Sequence, residues 1–349
     1  MAGIKEVAAH AGVSAATVSR ALSGNGKVSA ATRRRVLASA DELGFVISYN
    51  ASSLASGRTR NVGVVMPSVG RWYFSQVLQG AATALLESGY DLTLYNTSDG
   101  PGHRESVLTE MLRRKRLDAV IAVALRLTDE ELAQLRAVDK PIVTIGGPLP
   151  GTPAIRVDEF SISALATRHL VSLGHTRIAH IGGGKELERD FQLGGTRRSG
   201  YEHALKEAGI ALEETWVSSS EFSVAGGVEA GKELLAQPDI RPTAVFCASD
   251  EIAVGVILAA RGLGLRVPED VSVIGIDGHD LGGVFGLTTI SQDPAGQGAA
   301  AVAAVLALMR DEAVLPATKA GFYPTEFIVR SSTAVPSTSR PPDRRPDRT

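Results

Sequence analysis

The residues with the clearest binding chemistry lie on one short segment near the N-terminus. They are Ser14, Ala15, Ala16, Thr17, Ser19 and Arg20, and Asn25 follows shortly afterwards. Hydroxyl, amide and guanidinium groups can hydrogen-bond to phosphates or to base edges, so Arg20 and Asn25 are expected to make most of the polar contacts. The methyl groups of Ala15 and Ala16 can touch thymine methyls but cannot form hydrogen bonds. These side chains are the candidates for contact with double-stranded DNA.

The surrounding sequence predicts three short helices that would position these residues. The apolar residues spaced to face inward are Ile4, Val7, Ala8, Ala11, Val18, Ala21, Leu22, Val36, Leu37, Ala40 and Leu43. Gly12 suits a tight turn, Ser14 and Ser29 are predicted caps of the second and third helices, and Gly44 ends the third. Two short helices joined by a glycine-containing turn are typical of the helix-turn-helix motif, whose second helix enters the major groove.

Charge helps to distinguish this motif from a three-helix packing module without a nucleic-acid partner. Residues 1–60 carry a net charge of +5, whereas the whole chain of 349 residues carries −2 and the remainder therefore about −7. A basic segment attached to an acidic body is expected if only that segment meets phosphates.

The run VAAHAGVSAATVSRALSGNGKVSAATRRRV at residues 7–36 closely resembles the DNA-binding head of the lactose-repressor family of bacterial regulators. The resemblance implies a head at 1–46, followed by a hinge helix and linker at 47–60. It also implies that Ala51 and Leu54 enter the minor groove, where an apolar wedge kinks the duplex. The family's Pro-Asn pair is replaced by Ile47 and Ser48, which weakens the start signal of the hinge helix.

From residue 61 onward, short strands alternate with helices twice in series, which predicts two lobes with parallel sheets covered on both faces. The predicted strands are 62–67, 92–95, 119–123, 142–145, 155–157, 178–181, 243–247 and 271–276. The predicted helices include 74–85, 108–112, 132–135, 161–173, 197–208, 224–236 and 251–261. The fold class is therefore α/β, with an all-α helix-turn-helix head and a two-lobed body.

The body also resembles the lactose-repressor family, which shares its architecture with periplasmic sugar-binding proteins. The motifs are HLVSLGHTRIAHIGG, RRSGYEHALKEAGI and FCASDEIAVGVILAARGLGLRVPEDVSVIGIDG. The resemblance implies chain crossings near 157–160, 287–291 and 320–322. Lobe 1 then covers about 61–157 and 291–320, and lobe 2 about 158–290 and 321–333. The proline-rich tail at 334–349 is predicted to be disordered.

An effector is expected in the cleft between the lobes, beyond the carboxyl ends of the strands. A sugar-like ligand needs flat apolar faces for its C–H surfaces and charged or amide groups for its hydroxyls. The family positions with these properties are Tyr73, Phe74, Arg197, Phe222, Ser249, Asp250, Asp277 and Gln292. Ser249 replaces the family's asparagine. Other roles remain open: Asp250 can cap the following helix, Arg197 can pair with surface acids, and Tyr73 and Phe222 can belong to the core.

Other function classes find little support in the sequence. Cys247 is the only cysteine, no hydrophobic signal core or membrane-length run occurs, and no Gly-x-Ser-x-Gly or metal-ligand spacing is present. The sequence therefore predicts a cytoplasmic homodimeric repressor of carbohydrate-utilisation genes, with a near-palindromic operator, a sugar or sugar derivative as effector, and no cofactor, metal or membrane partner. The alternative is a soluble two-lobed sugar-binding protein or an enzyme without a DNA role.

Overall fold

The structure, a computed structural model, describes residues 3–23, 28–45, 58–97, 102–114, 116–147, 149–183, 193–314 and 321–337. The N-terminal unit contains helices α1 (Ile4–Ala11), α2 (Ala15–Ser23) and α3 (Ala30–Glu42). Val7, Val18 and Val36, one from each helix, are fully buried and form the centre of its core. The predicted three-helix head is confirmed.

Side-chain caps fix where the second and third head helices begin. The Ser14 hydroxyl accepts a hydrogen bond from the Thr17 amide at 3.1 Å, and the Ser29 hydroxyl accepts one from the Thr32 amide at 3.2 Å. Each cap satisfies an amide that the first helical turn leaves without a partner. The prediction that Leu37 is buried was wrong, because its side chain is 48% exposed on the outer face of α3.

The first lobe contains a five-stranded sheet in the order β2-β1-β3-β4-β5. Its strands are β1 (Asn61–Met66), β2 (Asp91–Asn96), β3 (Ala119–Val123), β4 (Ile142–Ile145) and β5 (Ala154–Ile155). Its helices include α4 (Trp72–Glu87), α5 (His103–Ser106), which continues into a π-helical turn at Val107–Met111, and α6 (Asp129–Arg136). The central strands β1 and β3 are almost entirely buried and pair in parallel, as their continuous apolar runs predict.

The second lobe contains a six-stranded sheet in the order β11-β10-β9-β8-β6-β7. Its strands are β6 (Ile178–Gly183), β7 (Val217–Ser220), β8 (Ala244–Cys247), β9 (Ser272–Asp277), β10 (Thr288–Ser291) and β11 (Glu326–Ile328). Its helices are α7 (Glu159–Ser172), α8 (Leu193–Glu207), α9 (Val224–Leu235), α10 (Asp250–Gly262) and the short α11 (Gly282–Phe285). Helices α7 and α8 cover one face and α9 and α10 the other, and only β11 is antiparallel to its neighbour.

A further helix, α12 (Pro294–Leu308), returns the chain to the first lobe and was not predicted. Its residues Ala301, Val302 and Val305 are buried in the first-lobe core. Helices α4 and α12 approach closely at Gly80 and Gly298, where an added Cβ would overlap the backbone of the opposite helix. Glycine is therefore required at this crossing.

The three crossings between lobes lie close to the predicted places, with one shift. The first lies between Ile155 and Glu159. The second was predicted at 287–291, but these residues include β10 of the second sheet, so the crossing follows Ser291. The third was predicted at 320–322, partly outside the described residues, and the chain re-enters the second sheet at β11.

The chain beyond β11 packs further along the second lobe than predicted. Ser332 is buried, accepts a hydrogen bond from the Thr288 amide and donates one to the Val273 carbonyl oxygen. The Ala334 amide donates to Ser272 Oγ at 3.1 Å. The start of the predicted disordered tail is therefore ordered, whereas 338–349 lie outside the described residues.

One buried histidine in the second lobe has an unusual environment. The His180 ring stacks between Tyr201 and Phe246, with centroid separations of 5.2 and 4.8 Å. Its Nδ1 lies 3.1 Å from the Phe246 carbonyl oxygen, which can only accept, so Nδ1 carries the proton. Its Nε2 is buried without a hydrogen-bond partner among the described residues. Burial lowers the pKa of His180 from 6.5 to about 4, against the effect of the bond to Phe246.

Replacing His180 with phenylalanine should make folding less sensitive to acid. Below pH 6.5 the unfolded chain binds a proton at this position, whereas the folded chain does so only near pH 4, so stability falls across this window. The loss amounts to about 3 kcal/mol by pH 4. His180→Phe keeps a stacked ring but cannot titrate. In urea unfolding at pH 7, 5.5 and 4.5, its stability relative to the parent should rise steadily as pH falls; a constant difference would contradict the assignment.

Candidate functional site

The polar residues singled out in the sequence converge where the strands end. Asp277 is the last residue of β9, Gln292 follows β10, and Tyr73 lies in the first turn of α4, which follows β1. In parallel α/β sheets, ligands bind at this carboxyl edge. Because the chain crosses between lobes at the same edge, residues from both lobes meet there.

Arg197 of α8 is the charged centre of this region and is only 2% exposed. Its Nε donates to Glu159 Oε2 at 2.7 Å, and its Nη1 donates to the Ala248 carbonyl oxygen. Burial alone would lower the pKa of the guanidinium, but the negative charges of Glu159 and Asp277 raise it, so the group remains charged. Arg197 therefore does not pair with a surface acid, because its ion pair with Glu159 lies inside the lobe. Glu159 was not recognised in the sequence.

A chain of hydrogen bonds leads from Asp277 to Tyr73. Gln292 Nε2 donates to Asp277 Oδ1 at 2.7 Å, Gln297 Nε2 donates to the Gln292 carbonyl oxygen at 2.8 Å, and the Tyr73 hydroxyl donates to Gln297 Oε1 at 3.0 Å. Burial is the main cause that raises the pKa of Asp277 well above its usual range, partly opposed by Arg197. Burial, with Glu159 and Asp277, also raises the pKa of Tyr73. Gln297 is a second residue that the sequence did not reveal.

Ser249 and Asp250 have internal partners and do not behave as the predicted ligand-facing pair. Ser249 caps α10 by accepting a hydrogen bond from the Ile252 amide at 3.3 Å. Asp250 is fully buried: its Oδ2 accepts from the amides of Gly278 and His279, and its Oδ1 accepts from the Thr289 hydroxyl at 2.7 Å. Burial raises the pKa of Asp250 to about 6, although these three hydrogen bonds oppose the shift. Asp250 therefore fixes the loop after β9.

The predicted aromatic residues fall into different environments. Phe74 is 4% exposed and packs in the first-lobe core, so its assignment to the ligand surface was wrong. Tyr73 and Phe222 are both half-buried. The Arg71 guanidinium carbon lies 5.8 Å from the centroid of the Phe222 ring, which brings a first-lobe cation to a second-lobe ring.

The predicted DNA-contacting residues in and just before α2 differ in exposure. Ser14, Ala16, Ser19 and Arg20 are exposed, whereas Thr17 is half-buried and its hydroxyl lies 2.9 Å from that of Ser14. Ala15 is half-buried and packs against the head core, so it is less available than predicted. Asn25, Ala51 and Leu54 lie outside the described residues.

A buried carboxylate anchors the chain that follows the predicted hinge segment. Asp118 Oδ1 accepts hydrogen bonds from the Thr59 amide at 2.7 Å and the Thr59 hydroxyl at 3.0 Å, and Oδ2 accepts from the Arg60 amide at 2.8 Å. The Asp118 amide in turn donates to the Asn61 carbonyl oxygen at 2.8 Å. Arg60 adopts the left-handed backbone region, with φ of 50°. We refer to these contacts of Asp118 with Thr59, Arg60 and Asn61 as the linker clamp.

Two family models match this chain. The model described as bacterial regulatory proteins, lacI family, matches residues 3–48, and the periplasmic binding protein-like domain matches residues 167–333. The HTH-type transcriptional repressor PurR of Vibrio vulnificus (strain CMCP6) is 35% identical over 297 residues, which cover 84% of this chain and 87% of that repressor. The chain belongs to the lacI family.

Other lacI-family proteins match over nearly the whole chain. PurR of Haemophilus influenzae (strain PittEE) is 34% identical, and the match covers 95% of this chain and 98% of that repressor. The lac repressor dimer bound to operator and the anti-inducer ONPF is 25% identical with a TM-score of 0.82, covering 95% and 99% of the two chains. The complex of the regulator CelR with cellobiose is 29% identical with a TM-score of 0.67, covering 95% and 100%.

Membership of the lacI family establishes the general function. The protein is a DNA-binding transcriptional repressor and not an enzyme, as predicted. Among the described residues, no helix is long and apolar enough to cross a membrane, and no cluster of His, Cys, Asp and Glu is suited to a metal ion.

Asp250→Ala should strongly destabilise the second lobe. The change leaves the amides of Gly278 and His279 and the Thr289 hydroxyl without their acceptor, at about 1–3 kcal/mol for each buried donor. Thermal unfolding should therefore show a loss of several kcal/mol, while Glu269→Ala at an exposed position of the same lobe should have little effect. A loss for Asp250→Ala as small as that of Glu269→Ala would show that the carboxylate is not a structural anchor.

Proposed function

We propose that this lacI-family repressor binds a near-palindromic operator as a dimer and takes a small, uncharged, sugar-like effector in the interlobe cleft. The observation that carries the effector assignment is the buried group formed by Arg197, Glu159 and Asp277 beside Tyr73. We assign ligand contact to Tyr73, Arg197, Phe222, Asp277 and Gln292, and a positioning role to Ser249 and Asp250.

The charge of the cleft supports an uncharged effector. Glu159 and Asp277 both act on the guanidinium of Arg197, and the carboxyl group of Asp250 is buried at the start of α10. Arg197 is already paired with Glu159, so a phosphate group would have to compete with that carboxylate for the guanidinium. Carboxylate and amide oxygens instead suit a ligand that donates hydrogen bonds, as sugar hydroxyls do. The bound cellobiose named for CelR fits this chemistry.

A planar heterocycle such as a nucleobase is the second candidate. The half-buried rings of Tyr73 and Phe222 offer faces for stacking, and Asp277 offers an acceptor for a ring N–H. Regulation of carbohydrate-utilisation genes follows only if a sugar is the effector.

Dimerisation is expected because one head reads only half of a two-fold symmetric site. The body has apolar side chains suited to such contacts: Leu86 at the end of α4 is 78% exposed and Val284 in α11 is 79% exposed. The related lac repressor is described as a dimer on its operator.

Arg20→Ala should relax base preference as well as weaken binding. Its exposed guanidinium can hold a base edge, and losing such a contact costs about 1–3 kcal/mol against the preferred sequence. Arg34→Ala is the matched control, because Arg34 is an equally exposed arginine on α3. The operator would be selected from random DNA with the intact chain. Arg20→Ala should reduce the ratio of operator to random-DNA affinity, whereas Arg34→Ala should leave it unchanged; equal ratios for both variants would overturn the assignment.

The effector class can be tested by thermal shift with free sugars, their phosphate esters and nucleobases. A ligand present at 100 times its Kd stabilises the folded state by about 2.7 kcal/mol. Free sugars should raise Tm and their phosphate esters should not. The half-buried Arg198 pairs with Glu202 and Glu214 instead, so Arg198→Ala should preserve the response. Stabilisation by phosphate esters equal to that of the parent sugars would refute the charge argument, and stabilisation by nucleobases alone would select the second candidate.

A further inference from the structure

Two contacts join the lobes through adjacent residues at the start of α4. The Trp72 indole stacks on the His279 ring with a centroid separation of 4.6 Å and an interplanar angle of 24°. Its Nε1 also donates a hydrogen bond to Asp280 Oδ2 at 3.0 Å. The preceding residue, Arg71, places its guanidinium over Phe222. One helical turn of the first lobe therefore touches two separate loops of the second.

These contacts lie outward from the proposed ligand residues. Trp72 directly precedes Tyr73, and His279 lies two residues after Asp277. The contact between Trp72 and His279 is therefore next to the proposed ligand residues Tyr73 and Asp277 in both chain segments. Exposure increases in the same direction: Asp277 is 7% exposed, His279 is half-buried and Asp280 is exposed. The Trp72–His279 stack therefore lies between the buried polar group and solvent.

We propose that Trp72, His279 and Asp280 form a latch that holds the two lobes together before any effector binds. The role of the latch in ligand entry rests on the proposed effector cleft, but its existence does not. Each of its contacts joins residues of different lobes, so all of them are lost when the lobes separate. The stack and the hydrogen bond act on the same indole, and Arg71 adds a second point of contact next to it.

The effect of the latch on the equilibrium between closed and open lobes is large enough to measure. An aromatic pair contributes enough to shift the equilibrium between closed and open lobes by roughly 2- to 12-fold. A ligand that binds only the closed form gains affinity by as much as the latch raises the fraction of closed molecules. Trp72 and His279 would then be specificity-determining residues, because an effector too large for the latched cleft must break the stack to bind.

Trp72 itself can report on the latch without any ligand. The chain has two tryptophans, so Trp216→Phe leaves Trp72 as the only indole in the full-length protein. In this background, quenching of Trp72 fluorescence by acrylamide should increase severalfold in His279→Ala, and to a smaller extent in Asp280→Ala, which removes the acceptor, because the indole becomes exposed. Equal quenching with and without His279 would overturn the proposal.

A second experiment uses variants that lack the side chain of Trp72 or of Arg71. Small-angle scattering of the effector-free chain, separated by size so that oligomers are matched, should give a larger radius of gyration for Trp72→Ala and Arg71→Ala. Arg261→Ala is the matched control, because it removes a cation–π contact with Phe285 within the second lobe, at 5.5 Å. Identical scattering for all variants would refute the latch. Neither experiment uses an effector, so a failed latch leaves the proposed function to be tested separately by the thermal-shift screen.

Discussion

An arginine buried inside a protein cannot readily lose its charge, and the second lobe is arranged around this constraint at Arg197. Removing one charge from water costs several kcal/mol unless partners compensate for the lost hydration. Glu159 supplies one partner from the first crossing, the Ala248 carbonyl oxygen supplies another after β8, and Asp277 adds its charge at the end of β9. The Arg197 guanidinium thus connects the first crossing segment to the carboxyl edge of the second sheet. The polar group at this edge of the sheet is therefore fixed by contacts within the protein.

The first turn of α4 shows how closely spaced residues acquire separate roles. Successive helical residues point about 100° apart, so three consecutive aromatic side chains cannot share one environment. Phe74 enters the core, Tyr73 hydrogen-bonds to Gln297 beside the buried polar group, and Trp72 reaches His279 of the other lobe. The family resemblance predicted ligand contact for Tyr73 and Phe74 alike. Only the rotation of the helix on its sheet distinguishes them.

The parts of the fold that could be predicted are those with a strong local pattern. Buried strands such as β3 and β4 were placed correctly by their apolar runs, and the head helices by their spacing and caps. Helix α12 was missed because its sequence, PAGQGAAAVAAVLAL, is apolar on all sides and has no stripe. Asp250 was ambiguous because its partners lie 28, 29 and 39 residues away, and no local signal records such pairings. Glu159 and Gln297 escaped notice for the same reason.

The linker clamp bears on how hybrid regulators can be assembled from members of this family. Thr59, Arg60 and Asn61 are held by Asp118, a residue that directly precedes β3, so the chain after the predicted hinge segment is matched to a partner almost sixty residues later. A junction placed within this linker would pair a clamp residue from one parent with a segment from the other. Exchange of DNA-binding heads is therefore best made before Arg58, where the donor contributes no residue that must recognise Asp118.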